Sequence, residues 1–438
     1  METAVLAYSG GLDTSCAVKW IKDNYGLDVV AVVVDVGQDE NLRRIRDKAL
    51  AIGAKDALVF DKRREFVQDF ILPALKANAL YEGVYPLLSS LSRPLIARTV
   101  VDVAEGLEAK AVAHGCTGKG NDQVRFDLSF NILNPALQII APIREWAYSR
   151  SALIEYAKAN KIPVPVTKKS PYSIDANLWG RSIESGVLED PWVEPPADVF
   201  KLTVPAEKAP DKPVYVEVEF HKGVPVALDG TELDPVELIR RLGATAGAAG
   251  YGRIDHIESR LVGIKSREVY EAPAALALIE AHKALEFMTL PKDLLHLKRQ
   301  LEGPFARLVY FGEWFSPQLD ALQAFMEETQ ENVSGTVNLK FYKGGLTIAG
   351  RKSEYSIYRE ELATYGDGDR YDHGASKGFI KIFGMENVLY EQIRKTRNGL
   401  GRSSRSKGNG PAPKPKPKRN GRRRNRPPDE NAAAGRTS

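Results

Sequence analysis

The feature that most constrains this chain is an apolar strand that runs directly into a double-glycine turn near its N-terminus. Residues 3–8 are apolar and strand-like, residues 9–15 read SGGLDTS, and residues 16–25 have the apolar spacing of a helix. A buried strand, a tight glycine turn and a helix start together form a phosphate-binding geometry. The first backbone N–H groups of such a helix point outward, and its dipole adds positive potential.

The residues of this turn suit an anion. Gly10 and Gly11 let the backbone approach a ligand with no Cβ in the way. Ser9, Thr14 and Ser15 add hydroxyl donors, and one of them is expected to cap the helix. An ordinary strand-to-helix turn is the alternative interpretation. The serine before the glycines and the Asp-Thr-Ser after them argue against it.

The turn differs from two common nucleotide-binding loops. It has no G-x-x-x-x-G-K-[ST] pattern and no lysine after the glycines, and G-x-G-x-x-G is also absent. SGGLDTS resembles the modified phosphate loop of the N-type ATP pyrophosphatases, which grip the pyrophosphate leaving group while the α-phosphate is attacked. The resemblance implies adenylation of a substrate rather than transfer of the γ-phosphate.

Composition indicates a soluble globular protein. The chain has 438 residues, 43% of them hydrophobic and 27% charged, which is enough for two domains with full cores. No apolar run reaches the length of a membrane span, and the longest candidate, 29–34, is predicted to be a buried strand. A secretory signal is not expected. Cys16 and Cys116 are too few for a disulfide framework, which favours a cytoplasmic location.

Charge separates a C-terminal tail from the rest of the chain. Residues 402–438 carry twelve Lys/Arg and two Asp/Glu, so the preceding part has 49 basic against 55 acidic residues. Residues 401–438 show no apolar periodicity and are predicted to be a disordered basic tail. Contact with nucleic acid is conceivable only through this tail, and a solubilising, non-essential extension is the favoured interpretation.

Residues 1–165 alternate strand and helix signals. Strands are predicted at 28–36, 57–60, 110–114 and 138–141, and helices at 41–52, 65–77, 94–108 and 151–160. This alternation is typical of an α/β fold with a doubly wound parallel sheet that forms a nucleotide-binding domain. Ligands of such sheets bind beyond the carboxyl ends of the strands.

The second half of the chain reads as an α+β domain over residues 166–375. Strands are predicted at 214–221, 260–265, 307–314, 335–341 and 345–349, and helices at 235–242 and 274–287. Residues 376–400 are predicted to form a C-terminal oligomerisation helix, with its helical signal at 386–397.

A second polar segment, residues 113–126 (AHGCTGKGNDQVRF), follows a predicted strand. We expect it at the same sheet edge as SGGLDTS. Asp122 suits an ammonium group, and Arg125 suits a carboxylate through two parallel hydrogen bonds. Alone, this segment could be a polar surface turn, but its pairing with a phosphate loop favours a functional role. His114, beside it, is interpreted as structural.

Six blocks of the sequence together resemble the argininosuccinate synthase family: SGGLDTS, ALYEGVYPL, SLSRPLIA, HGCTGKGNDQVRF, SPYSIDANLWGRSIESGVLEDP and GRIDHIESRLVGIKSREVYEAPA. The resemblance runs from residue 4 to about 397. It implies an N-type ATP pyrophosphatase (adenine nucleotide alpha hydrolase-like) domain and a synthetase/multimerisation domain in a homotetramer. It also implies that citrulline and aspartate are condensed with ATP and Mg²⁺ to argininosuccinate, AMP and pyrophosphate through a citrullyl-AMP intermediate.

The same resemblance assigns the site residues. ATP would be held by Ala7, Tyr8, Ser9, Gly10, Gly11, Leu12, Asp13, Thr14, Ser15, Val34 and Gly115. Aspartate would be held by Thr117, Asn121 and Asp122. Citrulline would be held by Tyr85, Ser90, Asn121, Arg125, Ser173, Ser182, Glu258 and Tyr270. No covalent catalyst is implied, since Asp122 and Arg125 act by positioning, and no protein ligand of Mg²⁺ is assigned.

Two departures from the family pattern are small. Cys116 stands where a smaller residue is expected, and Tyr172 replaces a tryptophan beside Ser173. Three rival functions fit the sequence less well. A tRNA-thiolating enzyme would need persulfide-carrying cysteines, whereas Cys16 is expected to be buried, and an amidotransferase would need a glutaminase portion with its own cysteine. A nucleic-acid-binding protein would need its basic excess outside the tail.

Overall fold

The computed structural model describes residues 2–146, 150–163 and 172–403. It separates into two compact units, one ending at Arg359 and the other beginning at Glu360. The predicted basic tail lies outside the described residues, except that 401–403 continue the last helix.

The N-terminal part of the first unit is built on a five-stranded sheet. Its strands are β1 (Thr3–Ala7), β2 (Asp28–Asp35), β3 (Asp56–Asp61), β4 (Ala111–Ala113) and β5 (Gln138–Ile140). They lie in the order β3–β2–β1–β4–β5, and all neighbours are parallel. The strand order changes direction between β1 and β4, so the loops that follow these two strands border a crevice at the carboxyl edge.

Helices cover both faces of this sheet. They are α1 (Leu12–Tyr25), α2 (Leu42–Ile52), α3 (Arg63–Phe66), α4 (Leu72–Lys76), α5 (Leu88–Gly106), α6 (Asp122–Leu133), α7 (Pro142–Trp146) and α8 (Arg150–Ala159). A π-helical turn, Val67–Ile71, joins α3 to α4. Because strand side chains alternate, Val5 shares a core with Leu95 of α5, while Leu6 shares another with Val18 of α1. The predicted doubly wound α/β fold is confirmed.

The remaining strands of the first unit form two antiparallel sheets. They are β6 (Ser173–Asn177), β7 (Gly180–Glu184), β8 (Val214–His221), β9 (Val224–Leu228), β10 (Thr231–Glu232), β11 (Arg253–Ser259), β12 (Lys265–Glu271), β13 (Gly335–Tyr342) and β14 (Gly345–Lys352). One sheet has the order β11–β12–β7–β6, and the other has the order β10–β9–β8–β13–β14.

Four more helices belong to this region: α9 (Pro235–Ala248), α10 (Pro273–Thr289), α11 (Lys292–Phe311) and α12 (Pro317–Glu328). Helices α9 and α10 pack against these sheets, whereas α11 packs against α5 and α12 against α4. Leu278 and Leu285 of α10 are fully buried. These elements confirm the predicted α+β character of the second half. None of the helices in the part of the chain that the structure describes is long and apolar enough to cross a lipid bilayer.

The second unit is helical in its described part. It contains α13 (Glu360–Ala363), α14 (His373–Phe383) and α15 (Met385–Ser403). The predicted helix 386–397 lies within α15, which continues to Ser403. Large apolar side chains of α14 and α15 are exposed, among them Phe379, Ile382, Phe383 and Leu389.

Three element predictions were wrong. Residues 260–264 form the turn between β11 and β12 rather than a strand, because Gly263 adopts a left-handed φ of +88° and its N–H bonds back to the Arg260 carbonyl; only residue 265 of the predicted strand belongs to β12. Residues 307–311 end helix α11 instead of forming a strand, since Phe305, Leu308 and Val309 are buried at helical spacing. Helix α5 begins at Leu88 rather than at residue 94.

Candidate active site

The SGGLDTS turn connects β1 to α1 at the carboxyl edge of the parallel sheet. Gly10 has a φ of +75°, a conformation that favours glycine. The first backbone bond of α1 runs from Ser15 N–H to the Gly11 carbonyl, so the N–H groups before it point out of the helix end. The predicted hydroxyl cap was wrong, because Gly11 occupies the N-cap position without a side-chain bond. Ser9 Oγ instead lies 3.2 Å from Thr14 Oγ1.

The loop after β4 touches this turn. A Cβ on Gly115 would lie 2.7 Å from Thr14 Cγ2, so only glycine lets the two loops approach this closely. Ala7 ends β1, and Val34 lies near the end of the neighbouring β2, so both reach the same edge. The fold thus brings together the eleven residues predicted to hold ATP. Tyr8 and Leu12 belong to the same turn, and the Tyr8 hydroxyl lies 3.1 Å from Ser15 Oγ.

His114 has a structural position behind this loop. Its Nδ1 accepts the Cys116 N–H at 3.1 Å, which leaves Nε2 as the donor to Asp127 Oδ1 at 2.8 Å. Arg144 also donates to Asp127, at 2.6 Å. These contacts tie the loop after β4 to α6 and α7, which agrees with the structural interpretation of His114.

A charged group lies at the start of α6. Asp122 accepts from Arg93 Nε at 2.9 Å and from Arg125 Nη1 at 2.8 Å. Burial alone would raise the pKa of Asp122, but the charges of Arg93 and Arg125 outweigh burial and hold that pKa below its usual range. Arg93 also donates to Asp175 Oδ2 at 2.6 Å, and so links Asp122 to strand β6. Asp122 is therefore an ionised carboxylate with two cationic partners.

A carboxylate and two phenols face this group from β11, β12 and α11. Glu258 accepts from the Tyr270 and Tyr310 hydroxyls, each at 2.5 Å. Burial is the larger cause that raises the pKa of Tyr310 above its usual value, and the Glu258 charge is the next. The phenol therefore keeps its proton and remains a hydrogen-bond donor. Asn121 Nδ2 donates to the Tyr310 hydroxyl at 2.8 Å. The Arg125 guanidinium lies 4.8 Å above the Tyr310 ring. These contacts join α6 to the antiparallel region.

Stacked tyrosines and two unpaired polar atoms complete the site. Tyr85 stacks on Tyr270 with ring centroids 4.3 Å apart, and Tyr81 stacks on Tyr310 at 3.6 Å. Within the described residues, Ser90 Oγ and Arg125 Nη2 are buried without any hydrogen-bond partner. An unsatisfied buried donor is costly, so both atoms mark a position where a polar ligand would be stabilised.

The remaining predicted residues are brought together less completely. Ser182 pairs with Tyr270 across β7 and β12, and its hydroxyl lies 3.5 Å from the Asp175 carbonyl. Ser173 is paired with Glu184 near the start of β6 and is exposed. Thr117 is also exposed, in the loop before α6. The structure therefore gives Ser182 a neighbour in the site but gives Ser173 and Thr117 no side-chain contact with the cluster.

Comparison with known proteins identifies both halves of the chain. The model of the arginosuccinate synthase N-terminal HUP domain matches residues 3–163, and that of the C-terminal domain matches residues 172–390. The argininosuccinate synthase of Symbiobacterium thermophilum is 57% identical over 397 residues, which cover 90% of this chain and 99% of that protein. The argininosuccinate synthase of Dictyoglomus turgidum is 57% identical over 389 residues, covering 89% and 97%.

The chain belongs to the argininosuccinate synthase family. Membership confirms the resemblance carried by the six sequence blocks, the fold class and the assignment as a ligase of this family. The use of ATP is consistent with the family and with its HUP domain.

Sequence reasoning missed two residues of this site. Arg93 lies in the SLSRPLIA block that helped to indicate the argininosuccinate synthase family, but no role was assigned to it. The available signal was the position of Arg93 within that block. Tyr310 lay in a segment predicted as a strand, and nothing in the sequence indicates that it stacks on Tyr81.

Proposed function

We propose that this chain catalyses the ATP-dependent condensation of citrulline with aspartate to argininosuccinate, with release of AMP and pyrophosphate. The observation that carries the proposal is the convergence of two loops at the carboxyl edge of the parallel sheet. One is the glycine turn with its outward N–H groups, and the other leads to Asp122 and Arg125. A nucleotide phosphate group and an amino-acid substrate can therefore be bound side by side.

In this proposal the nucleotide is held mainly by backbone. Eleven residues supply N–H groups, hydroxyls and close-packed glycines: the nine from Ala7 to Ser15, together with Val34 and Gly115. The helix N-terminus favours the negative pyrophosphate group. Because the leaving group is bound rather than the γ-phosphate alone, the α-phosphate is the position open to attack.

The amino-acid substrates are assigned to the charged cluster. Asp122, with Asn121 and Thr117, would hold aspartate, since a carboxylate has lone pairs for an ammonium beyond those used by two arginines. Arg125 and Glu258 would hold the carboxylate and the amine of citrulline, with Tyr85, Ser90, Ser173, Ser182 and Tyr270 around it. The unpaired Ser90 Oγ and Arg125 Nη2 support this assignment.

Two displacement steps follow from this arrangement. The ureido oxygen of citrulline attacks the α-phosphate, the bond to pyrophosphate breaks, and citrullyl-AMP forms. The aspartate amine then attacks the ureido carbon, loses a proton, and displaces AMP. No protein side chain is modified, so this chain contributes by positioning the reactants and by stabilising charge.

Mg²⁺ fits this site only as a partner of the nucleotide. Within the described ranges, no group of three or more His, Cys, Asp or Glu side chains could hold a metal ion. Mg²⁺ commonly binds through substrate phosphates and water, with one or two carboxylates. We propose that it enters with ATP and neutralises the phosphate charge.

We propose the four-part division predicted from the sequence: 1–165, 166–375, 376–400 and 401–438. A homotetramer is part of the same proposal. The exposed apolar side chains of α14 and α15, such as Phe383 and Leu389, support self-association through the C-terminal helices. A cytoplasmic location is also proposed, and it rests on the presence of only two cysteines, both free thiols.

An omission assay tests the function. Pyrophosphate release is measured with ATP and Mg²⁺ present and with citrulline and aspartate added singly and together. The proposal predicts sustained release with both amino acids, and argininosuccinate and AMP equal to the pyrophosphate released. Sustained pyrophosphate release by the folded protein in the absence of both citrulline and aspartate would contradict the proposal. A lack of argininosuccinate when both amino acids are present would also contradict it.

A further inference from the structure

The glycine turn contains no lysine of its own, but a lysine reaches it from α2. Lys48 Nζ donates to the Gly10 carbonyl at 2.6 Å. In a planar trans peptide, the Gly10 carbonyl and the Gly11 N–H point in opposite directions. The contact with Lys48 therefore fixes the direction of the Gly11 N–H, which lies 3.4 Å from Ser9 Oγ.

Helix α2 supports this peptide at a second point. A Cβ on Gly10 would lie 3.0 Å from Ile45 Cγ2, so Ile45 packs directly against the glycine. Ile45 and Lys48 are three residues apart and lie on the same face of α2. One face of this helix thus holds the turn through an apolar contact and a hydrogen bond.

Among the residues that the structure describes, the Lys48 ammonium has no anionic partner. It is half-buried, and no carboxylate of the described residues forms an ion pair with it or with Arg44, one turn earlier. Burial lowers the pKa of Lys48; Cys16 opposes this, and the Arg44 charge acts in the same direction as burial. Partly buried charges are normally balanced by an opposite charge. Two of the three ammonium N–H groups remain beyond the bond to Gly10.

We propose that Lys48 supplies the cation that the glycine turn lacks, holding the Gly10–Gly11 peptide with one N–H and binding the pyrophosphate group of the nucleotide with the others. This inference rests on the proposed function, since it concerns the same nucleotide. It assigns Lys48 a positioning and binding role that is specific for pyrophosphate and does not extend to the AMP portion.

Direct binding of inorganic pyrophosphate to the full chain tests this role. Dissociation constants for magnesium pyrophosphate and for AMP are measured by calorimetry for the parent, Lys48→Met, Lys48→Gln and Lys48→Arg. Lys48→Met and Lys48→Gln are expected to weaken pyrophosphate binding about tenfold or more, because a charge-assisted contact is lost. AMP binding is expected to stay within about twofold, and Lys48→Arg to restore most of the affinity.

Lys48→Gln separates the two parts of the role, because its amide can still donate to Gly10 without a charge. If Lys48→Met fails to fold, Lys48→Gln alone decides the question. Lys55→Met is the matched control: Lys55 pairs with Asp28 at the amino end of β2, the opposite edge of the sheet. Parent-like pyrophosphate binding by Lys48→Gln would overturn the inference. A parent that binds pyrophosphate but makes no argininosuccinate would overturn the proposed function alone.

Discussion

Two buried groups of charged residues in the first unit differ in one respect. The site cluster consists of Arg93, Asp122, Arg125, Glu258 and Tyr310. The core network lies among α10, α11 and the end of α12, and consists of Asn78, His282, Glu286, Lys298, Glu302 and Gln330. Both contain buried ionised side chains, but only the first is assigned to substrates.

The core network satisfies its own polar atoms. Lys298 Nζ lies 2.9 Å from Glu286 Oε1 and 3.0 Å from Glu302 Oε1, and both Lys298 and Glu286 are fully buried. Asn78 donates to both carboxylates at 2.7 Å. His282 donates to Asn78 Oδ1 and Gln330 Oε1, each at 2.7 Å, when both of its ring nitrogens carry a hydrogen. Because the polar atoms of the core network are bonded to one another, we infer that this network has a structural role.

The site cluster leaves donors unused. Arg125 Nη2 and Ser90 Oγ have no partner within the described residues, although both are buried. A structural network would have no reason to retain this cost. The comparison teaches that burial of charge does not itself identify a site. Unpaired donors support a site only together with the charged groups around them, because Ser129 Oγ is also buried without a partner. Four substitutions test this distinction.

Lys298→Met is expected to have the largest effect, on stability alone. Removing the cation leaves Glu286 buried without its ammonium partner, which costs about 3–5 kcal/mol. The urea midpoint of unfolding should fall strongly, while the KM values of folded enzyme change less than about twofold. Lys283→Met, which removes a partly exposed lysine of α10, is the control. A raised citrulline KM with an unchanged unfolding midpoint would contradict the structural role of the core network.

Arg125→Met should act mainly on activity. The kcat/KM for citrulline is expected to fall by about 10²–10³-fold, because the substrate carboxylate loses a buried charge partner. The unfolding midpoint should change less than in Lys298→Met, since Arg93 still pairs with Asp122. Arg241→Met, at an exposed ion pair of α9, serves as the control. An unchanged kcat/KM for citrulline would contradict the assignment of Arg125 to the citrulline site.

Asp122→Asn should affect the other amino acid. The side chain keeps its shape but loses the charge proposed to bind the aspartate ammonium, so the aspartate KM is expected to rise about 10–100-fold. The citrulline KM should rise less. Initial rates with each amino acid varied in turn measure both constants. An aspartate KM equal to that of the parent would show that Asp122 serves only as a partner of Arg93 and Arg125.

Arg93→Met should change the aspartate KM least of the four substitutions at neutral pH. Its effect should become measurable as the pH is lowered. Arg93 helps to hold the pKa of Asp122 below its usual range, so the carboxylate contribution is present above that range and is lost only as pH falls through the lowered pKa. Without Arg93, only Arg125 opposes the effect of burial on that pKa, so the loss begins at higher pH. On acidification, the aspartate KM of the variant should therefore begin to rise at a higher pH than that of the parent. Parallel profiles would contradict the role of Arg93.

The sequence was sufficient to predict the two loops at the carboxyl edge of the parallel sheet, because the signals for these loops are local. Residues 9–15 carry strand end, turn and helix start within one short segment, and the loop at Gly115 follows a strand that pairs with β1. The helix cap was predicted wrongly because hydroxyl preference competes with loop geometry: Ser9 and Thr14 bond to each other, and Gly11 occupies the cap.

The site cluster could be predicted only in part. Asp122 and Arg125 lie within a recognisable block, but Tyr310 reaches the site only because α11 ends against α6. A Cβ on Gly312 would lie 2.7 Å from Arg125 Cα, so this approach depends on packing between segments distant in sequence. The β-branched and aromatic run around Tyr310, after Pro304, reads locally as a strand. The unpaired state of Ser90 and Arg125 is likewise a property of the folded packing.

The most direct test of adenylation follows an oxygen atom. Citrulline labelled with oxygen-18 in its ureido group is turned over with ATP, Mg²⁺ and aspartate, and the AMP is analysed by mass spectrometry. Attack of the ureido oxygen on the α-phosphate predicts that one labelled oxygen appears in each AMP and none in pyrophosphate. Unlabelled AMP formed together with argininosuccinate would contradict the citrullyl-AMP intermediate and the role given to the glycine turn.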